Sequence, residues 1–395
     1  MQKQAISQLP NKVFQELGWD YFISEDAADY LTKELVVISD AEREAFYQAG
    51  NRLYELFAQA GEHILQHNLL NQLGIPRNLH DMIRLSWEDD RHLHLFGRFD
   101  VAGGVDGLPI KVLEFNADTA TLLPETSILQ WAQLKANGIP EERQFNFVYE
   151  ALIDNFKRLR ELNPTREAAI LFSTLRDAPE DDNNVSLLME AAKEAGFETG
   201  FSYIDEVTFS DVTGIFGKNA NGQALQFPFW FKLVPWEYIA FDEPELCMML
   251  TNIMRKDLCV ILNPAYTLMF QSKGILKFLW DLNPDEPLLL ETSFKEPIGR
   301  TGYPFVQKVF FGREGANVTV YDDIGLPEEV RDGEYEAQPS VYQAYAQLAR
   351  DAEGQYYQSG IFFAYEACGM GFRRSERKII DNGAQFVGHV VGNIE

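Results

Sequence analysis

Four polar side chains on two short segments have the spacing of a metal and phosphate site. Arg98 and Asp100 are separated by one residue, and so are Glu114 and Asn116 further along the chain. Strand residues at such alternate positions share one face. A hairpin symmetric about Gly107 would place Asp100 about 5 Å from Glu114. The same register pairs Arg98 with Asn116. Carboxylate and amide oxygens suit Mg²⁺, and an adjacent arginine suits a phosphoryl group. The alternative is a solvated polar face on which Arg98 neutralises the acids.

Two lysines and a glycine-bearing loop follow much later in the chain. Lys273 lies at the start of a predicted helix, and Lys308 ends an apolar strand. The next loop, 309–317, contains Gly312 and Gly315, and glycine lets backbone amides approach anion oxygens closely. The Walker pattern G-x-x-x-x-G-K-[ST] does not occur in the sequence. The residues alone leave two interpretations open, a phosphate-binding loop or a plain hairpin turn.

We expect an acidic loop at residues 177–183, directly after a predicted buried strand. In α/β lobes, ligands bind at the carboxyl ends of the strands. Glu180, Asp181 and Asp182 are therefore candidates to bind an ammonium group of a substrate. A solvated acidic turn is the alternative.

Histidine and cysteine side chains are not expected to form a metal centre. His92 and His94 lie on the polar face of the first hairpin strand, but no third ligand follows at a suitable spacing. We expect both to be exposed strand residues. Cys247, Cys259 and Cys368 fit neither a disulfide framework nor a zinc site, and we expect ordinary structural thiols.

The elements that must position these residues change character along the chain. Residues 1–90 are predicted to be mainly helical, and Asp40 would cap the principal helix. From about 145 to 270, helices alternate with strands, which favours an α/β lobe. The predicted elements are a helix at 41–67, a hairpin at 92–116, strands at 168–173, 201–204, 212–216 and 229–234, and helices at 185–195 and 273–280.

The composition limits the classes of partner. The 395 residues include 34 lysines and arginines against 60 aspartates and glutamates, a net charge of −26. Such a surface repels nucleic acids and anionic membranes. No run approaches the ~20 apolar residues of a membrane span, and the N-terminus lacks the apolar stretch of a signal peptide. We expect a cytoplasmic protein that binds neither nucleic acid nor membrane.

Several motifs occur in an order that resembles the synthetase domain of the glutathionylspermidine synthase family. They are residues 97–100 (GRFD), 113–120 (LEFNADTA), 263–266 (NPAY), 272–273 (SK), 312–318 (GREGANV) and 367–373 (ACGMGFR). The resemblance spans roughly residues 15–390. It implies an α/β (α+β) fold of the ATP-grasp type in a permuted order, with a Rossmann-like pre-ATP-grasp lobe. It also implies a synthetase without the amidase domain of the bifunctional members.

The resemblance also implies roles for individual positions. Asp100, Glu114 and Asn116 would be Mg²⁺ ligands, and Arg98 would face the transferred phosphoryl group. The other implied contacts are to the nucleotide, by Lys273, Lys308, Gly312 and Gly315, and to the substrate, by Thr119, Thr121, Arg313 and Arg373. The loop 309–317 would close over the phosphates, and we expect it to lack core contacts of its own.

The implied function is that of an ATP-dependent carboxylate–amine ligase that uses Mg²⁺. Phosphorylation by ATP would turn the carboxylate into an acyl phosphate, which an amine can attack. Both substrates would be small molecules, with a glutathione-like peptide and a polyamine as the family's examples. The alternatives are a phosphotransferase that uses the same nucleotide site and a catalytically silent nucleotide-binding scaffold.

We expect three regions along the chain. Residues 1–145 would form a helical region with the metal-binding hairpin, and residues 146–270 a pre-ATP-grasp-like lobe. Residues 271–395 would form an ATP-binding lobe with a glycine-rich lid and a C-terminal substrate segment.

Overall fold

The computed structural model describes residues 1–24, 29–219 and 221–392. Within these ranges the α-helices are α1 (Asn11–Leu17), α2 (Asp40–Gln66), α3 (His80–Trp87), α4 (Gln130–Ala136), α5 (Val148–Leu162), α6 (Pro179–Glu194), α7 (Trp236–Asp242), α8 (Pro244–Arg255), α9 (Thr267–Gln271) and α10 (Ile275–Leu282). A π-helical turn at Pro124–Leu129 runs directly into α4. Short 3₁₀ turns occupy Asp20–Ile23, Leu70–Leu73, Arg77–Leu79, Glu141–Arg143 and Ile204–Glu206.

The strands form several sheets. They are β1 (Lys3–Ala5), β2 (Glu34–Ile38), β3 (Gly97–Ala102), β4 (Lys111–Asn116), β5 (Ala169–Ser173), β6 (Glu198–Phe201), β7 (Thr208–Ser210), β8 (Gly214–Lys218), β9 (Ala224–Phe227), β10 (Phe229–Lys232), β11 (Val260–Leu262), β12 (Thr292–Ser293), β13 (Phe305–Val309), β14 (Val318–Tyr321), β15 (Pro327–Arg331), β16 (Ser340–Ala344), β17 (Ala349–Arg350), β18 (Tyr356–Ala364), β19 (Glu366–Ser375), β20 (Gln385–Val387) and β21 (His389–Val391). A small sheet with the order β1-β2-β21 joins the two ends of the described chain.

The predicted hairpin is confirmed, and its predicted register holds up to Asp100, where a bulge shifts the pairing toward the turn. β3 pairs antiparallel with β4, and Asp100 lies opposite Glu114. Arg98 lies opposite Asn116 in the same register. On its other side β3 pairs with β18, so the hairpin belongs to a sheet with the order β20-β19-β18-β3-β4. The polar face is thus built from strands near both ends of the sequence.

The opposite face of this hairpin belongs to the hydrophobic core. Phe99 and Phe115 are buried, and their rings stack with centroids 3.7 Å apart. Phe57 of α2 packs edge-on against Phe115 at 5.3 Å. Gly50 allows α2 to approach the sheet, because a Cβ atom there would lie 2.7 Å from Cβ of Ala367. Strand alternation therefore directs the aromatic side chains into the core and the polar ones to the other face.

A parallel sheet with the order β11-β10-β5-β6 lies in the region where helices and strands were predicted to alternate. The strands expected at 168–173 and 229–234 are confirmed as β5 and β10, while the strand expected at 201–204 lies earlier, as β6. The strand expected at 212–216 is β8, which belongs to a separate antiparallel sheet, β7-β8-β9. The protein is therefore of mixed α/β class.

The acidic residues near 180 form the first turn of a helix and not a loop, so that prediction was wrong. α6 begins at Pro179, which places Glu180, Asp181 and Asp182 in its first turn. Proline suits this position because its missing N–H would have no helical partner, and acids interact favourably with a helix N-terminus. The helix consequently starts earlier than the predicted 185–195.

Two further predictions about local structure were wrong. Ser39, and not Asp40, caps α2, through a capping box with Glu42. His92 and His94 are buried, and burial lowers the pKa of both imidazoles to about 4. They contribute to the interior beside the hairpin and not to a solvated face.

The third large sheet carries the second lysine. It is antiparallel with the order β12-β16-β13-β14-β15, and Lys308 lies on β13, opposite Val318 of β14. Lys273 precedes α10, which begins at Ile275. The three cysteines are buried and free, as expected. Within the described ranges, no helix is long and apolar enough to cross a membrane.

Candidate functional site

The described residues surround a cavity of about 390 Å³. Its walls include the polar face of the β3–β4 hairpin, the β13–β14 connection and the first turn of α6. Apart from Asp182, the site residues proposed from the sequence all line it; they are Arg98, Asp100, Glu114, Asn116, Thr119, Thr121, Glu180, Asp181, Lys273, Lys308, Gly312, Arg313, Gly315 and Arg373. Tertiary folding thus brings together residues that are far apart in the chain.

On the hairpin face, Arg98 and Asp100 form a buried, two-point ion pair. Nε of Arg98 donates to Oδ1 of Asp100 at 2.7 Å, and Nη2 donates to Oδ2 at 3.1 Å. Nη1 of Arg98 donates to the carbonyl of Thr121 at 2.7 Å. Such a fork of donors is the geometry in which arginine also recognises phosphoryl oxygens.

Glu114 faces the ammonium groups of both lysines. Its Oε2 lies 3.0 Å from Nζ of Lys273. Burial alone would raise the pKa of Glu114, but the charges of Lys273 and Lys308 outweigh it and lower the pKa to about 2. The carboxylate is therefore ionised at neutral pH, as a metal ligand must be.

Asn116 turns its amide nitrogen toward the acids. Nδ2 lies 3.1 Å from Oδ2 of Asp100 and 3.4 Å from Oε1 of Glu114. Its Oδ1 accepts from Nε2 of Gln271 at 3.4 Å. Rotation of the amide by half a turn would direct Oδ1 to the same point between the two carboxylates.

The donors on this face fit a hard divalent cation. The carboxylates of Asp100 and Glu114 converge with the amide of Asn116. Asp100 forms an ion pair with Arg98, and Glu114 forms one with Lys273. In the described part of the chain, no group of three or more histidine, cysteine, aspartate or glutamate side chains could hold a metal ion. Mg²⁺ commonly takes only one or two carboxylates and completes its shell with water and substrate phosphates. The face is thus suited to a metal ion that enters together with phosphate.

Lys308 is a buried cation held by neutral oxygens. Its Nζ donates to the carbonyl of Leu113 at 3.0 Å and to Oε1 of Gln343 at 2.7 Å. Burial lowers its pKa to about 8, against the opposing charge of Glu114. Gln343 also donates to the carbonyl of Val112 at 3.1 Å. This glutamine was missed by sequence reasoning, since nothing in its neighbourhood distinguishes it from other strand residues.

The glycine-bearing loop is a hairpin connection that also lines the cavity. The carbonyl of Gly312 accepts from Nζ of Lys273 at 2.7 Å. Gly315 has φ +73°, and a Cβ atom there would lie 2.9 Å from the carbonyl oxygen of Ile380. The segment is therefore a hairpin turn that lines the cavity, and phosphate binding by its backbone stays a prediction.

The expectation that this loop lacks core contacts was wrong. Phe310 and Phe311 are buried and belong to the main hydrophobic core. The ring of Phe310 lies 5.6 Å from that of Phe294. The loop is therefore anchored at its start, and only the residues that follow Phe311 extend over the cavity.

Arg313 spans from the loop to the opposite wall. Its Nη2 lies 2.6 Å from Oε1 of Glu237, and its Nη1 donates to Oγ1 of Thr119 at 2.8 Å. Glu237, at the start of α7, was missed by sequence reasoning. The signal that could have found it is its place just after the buried strand β10, where α/β lobes commonly bind ligands.

The acidic wall is formed by the first turn of α6. Burial, together with the charges of Glu180 and Asp182, raises the pKa of Asp181 to about 6. Asp182 instead accepts a hydrogen bond from Oγ1 of Thr174 at 2.9 Å. The cavity lining contains Glu180 and Asp181, as predicted, but not Asp182 within the described residues.

A second acidic group lies behind this wall and was also missed. The hydroxyl of Tyr30, which lines the cavity, donates to Oε1 of Glu125 at 2.8 Å. Oε2 of Glu125 is buried and has no hydrogen-bond partner among the described residues. Glu125 lies on the π-helical turn, a type of irregularity that is frequent at functional sites and has no reliable sequence pattern.

Arg373 lies at the far side of the cavity. Its Nη2 donates to the carbonyls of Asp381 and Ala384 at 2.7 and 3.2 Å. Its Nε is buried without a hydrogen-bond partner in the part of the chain that is described. The guanidinium therefore retains donor capacity toward an anionic ligand.

The sequence is similar to those of several known proteins. The family model described as "Glutathionylspermidine synthase preATP-grasp" matches residues 1–392. A Haemophilus influenzae protein named "Putative acid-amine ligase" is 27% identical over 394 residues, which cover 96% of each chain. The bifunctional glutathionylspermidine synthetase/amidase of Escherichia coli is 28% identical over 367 residues, which cover 85% of this chain and 55% of that protein. The chain thus spans about half the length of the bifunctional relative.

The fold is also similar to a solved structure. The glutathione synthetase-like effector of Globodera pallida, in its apo form, superposes with a TM-score of 0.50 over 98% of both chains. The two sequences are 9% identical. At this identity the similarity concerns the fold alone.

Proposed function

The chain belongs to the glutathionylspermidine synthase preATP-grasp family, and we propose on this premise that it is an ATP- and Mg²⁺-dependent ligase that joins a carboxylate to an amine. The observation that carries the proposal is the shared cavity of about 390 Å³. A face suited to a metal ion, two lysines and an acidic wall all border it. A ligase needs these three environments together, because ATP, an acid and an amine must meet in one place.

Phosphate and metal would occupy the side of the cavity between the two hairpins. Asp100 and Glu114, with Asn116 after rotation of its amide, would hold Mg²⁺. When bound, the metal ion neutralises phosphate charge and orients the transferred phosphoryl group. Lys273 now pairs with Glu114 at 3.0 Å and would contact phosphate oxygens once Glu114 serves as a ligand. Arg98 would stabilise charge on the transferred phosphoryl group.

The chemistry would proceed through an acyl phosphate. A substrate carboxylate oxygen attacks the γ-phosphorus of ATP, and ADP leaves. The acyl carbon then carries phosphate, a good leaving group, in place of oxide, a poor one. The amine nitrogen then attacks the acyl carbon, loses a proton and expels inorganic phosphate. Water must be excluded meanwhile, because it would hydrolyse the acyl phosphate. The loop 309–317, which follows Lys308 and contains Gly312 and Gly315, would cover the phosphates.

The two substrates would lie toward the other walls. Thr119, Thr121, Arg313 and Arg373 would contact the acid, since they supply hydroxyl groups and guanidinium donors. Glu180 and Asp181 would hold the amine in its ammonium form, since they supply negative charge. By analogy with the name of the Escherichia coli relative, we propose a peptide such as glutathione as the acid and a polyamine as the amine.

We propose an ATP-grasp fold with a Rossmann-like pre-ATP-grasp lobe, divided at 1–145, 146–270 and 271–395. The parallel sheet β11-β10-β5-β6 is the observation that favours a separate central lobe. β3 and β4 of the first region and β18 of the last region lie in one sheet, which favours an ATP-binding unit formed by both regions. A cytoplasmic location is proposed because three buried free thiols suit a reducing compartment.

The decisive experiment is a product analysis. The protein is incubated with ATP, Mg²⁺ and pooled peptides and amines, inorganic phosphate is measured, and products are identified by mass spectrometry. We expect phosphate release that requires both an acid and an amine, and a product with their summed mass less one water. A phosphorylated acceptor would instead support the phosphotransferase. No ATP consumption with any pool would support the silent scaffold.

A further inference from the structure

Glu237 is a buried acid to which the proposed chemistry assigns no role. Its side chain is 2% exposed, and its Oε1 lies 2.6 Å from Nη2 of Arg313. Oε2 of Glu237 and Nε of Arg313 are buried, and neither has a hydrogen-bond partner among the described residues. A charge withdrawn from water in this way depends on its ionic partner. The two side chains are therefore mutually dependent.

Neighbouring acids do not replace Glu237 in this contact. Asp118 and Lys232 are fully buried and pair with each other at 3.0 Å. The second oxygen of Asp118 accepts the backbone N–H of Trp236 at 2.9 Å. Within the described ranges, Glu237 is the acid in salt-bridge contact with Arg313. Its loss would leave the guanidinium without a direct counter-charge.

The contact also joins two separate parts of the structure. Glu237 lies on α7, which follows the parallel strand β10, whereas Arg313 lies on the β13–β14 connection. Beside it, the hydroxyl of Tyr238 lies 3.0 Å from that of Tyr335, which follows β15. The Arg313 guanidinium is 5.6 Å from the ring centre of Tyr238. The cavity is thus closed on this side by contacts from α7 to the β13–β15 region.

We propose that Glu237 is a positioning residue that holds Arg313 beside Thr119 and keeps the end of the glycine-bearing loop against the cavity. In the structure, Nη1 of Arg313 reaches Oγ1 of Thr119 at 2.8 Å while Nη2 is engaged with Glu237. Glu237 acts through Arg313 and touches neither nucleotide nor substrate. The consequence for catalysis rests on the proposed function, but the consequence for the loop does not.

The first test measures the loop directly. Full-length Glu237→Gln, which keeps the shape of the side chain and removes its charge, is compared with wild type by limited trypsin digestion without ligand. We expect cleavage after Arg313 to be about tenfold faster or more, because the arginine leaves its partly buried position. Glu245→Gln, an exposed acid in the first turn of α8, is the matched control and should cleave as wild type does. Equal cleavage in wild type and Glu237→Gln would overturn the proposal.

The second test asks whether Glu237 acts through Arg313. Amide formation and ATP hydrolysed per amide are measured in Glu237→Gln, Arg313→Gln and the double variant. We expect each single change to lower amide formation and to raise wasted hydrolysis, and the double variant to be no worse than Arg313→Gln. Multiplicative losses would overturn the proposal. The double variant is a control for folding, because it carries no unpaired buried charge from this pair. Glu237→Asp keeps the negative charge and should form more amide than Glu237→Gln.

The two measurements separate this inference from the proposed function. If wild type forms no amide with any acid and amine, the ligase is refuted and the digestion still decides the role of Glu237. If wild type forms amide and the digestion is unchanged in Glu237→Gln, the ligase stands and the positioning role is refuted.

Discussion

Replacement of Glu114 by glutamine tests the proposed metal face with the smallest change of shape. The side chain keeps an oxygen that can accept from Nδ2 of Asn116, now at 3.4 Å, but loses the charge that faces Lys273. We expect turnover to fall more than about tenfold, which corresponds to ~1.4 kcal/mol of barrier. The reason is that Mg²⁺ would lose one of its two carboxylate ligands.

The same change should lower stability by an amount that the structure bounds. The pKa of Glu114 falls from 4.5 to about 2, and this shift corresponds to about 3 kcal/mol in favour of the ionised form. The side chain is 26% exposed, so solvent screening reduces the expected loss to about 1–3 kcal/mol at pH 7. Because the folded-state pKa is depressed, this contribution is present above pH 4.5 and is lost as the pH falls toward 2.

The assay combines kinetics, metal titration and denaturation. Turnover is measured against Mg²⁺ concentration, and binding of Mn²⁺ with an ATP analogue is measured by calorimetry. Glu55→Gln removes an exposed acid paired with Arg52 and is the matched control, which should change stability by less than about 0.5 kcal/mol. If Glu114→Gln remains folded and retains more than about a tenth of wild-type turnover, Glu114 is not a metal ligand. An unchanged metal affinity would lead to the same conclusion.

Three further predictions address the nucleotide side and the interior. Lys273→Ala and Lys308→Ala should each weaken binding of a nonhydrolysable ATP analogue about tenfold or more, because their partners are phosphates; unchanged calorimetric affinity in both would exclude the assignment. Gly315→Ala should cost about 1–3 kcal/mol in denaturant unfolding, because φ is +73° and a Cβ atom is strained there; wild-type stability would show that the loop tolerates a side chain. His92 and His94 have pKa values lowered by burial from 6.5 to about 4, so their neutral forms favour folding above pH 6.5 and this contribution is lost as the pH falls toward 4. A double replacement by glutamine should flatten the pH dependence of stability in that window, and an unaltered slope would contradict the shifts.

The hairpin that carries the proposed metal ligands could be predicted because its determinants are local. The alternation of polar and apolar residues in 97–102 and 111–116 assigns each side chain to a face. Asp100 meets Glu114 as a hairpin centred near Gly107 predicts, although a bulge after Asp100, which the sequence did not reveal, shifts the pairs nearer the turn. For the same reason the helical periodicity of α2 was recognised, although its capping residue was placed one position too late.

Predictions failed where burial by distant segments decides the environment. His92 and His94 have the sequence spacing of exposed strand residues, but packing from other parts of the chain covers both. The loop after Lys308 has the composition of a mobile segment, yet Phe310 enters the main core. The start of α6 was missed because an acidic stretch after a strand is compatible with either a turn or a first helical turn.

The sequence by itself determined the class of the protein, the family and the residue types at the candidate site, because these depend on composition, short motifs and strand or helix period. Only the tertiary structure decided which charges meet. Glu237 and Arg313 are separated by 76 positions, and Lys273 reaches Glu114 from a different element. Such pairings depend on how sheets and helices pack, and on which side chains lose water together. The energy of a buried charge depends on the groups that surround it in the folded protein. No local pattern in the chain shows which groups those are.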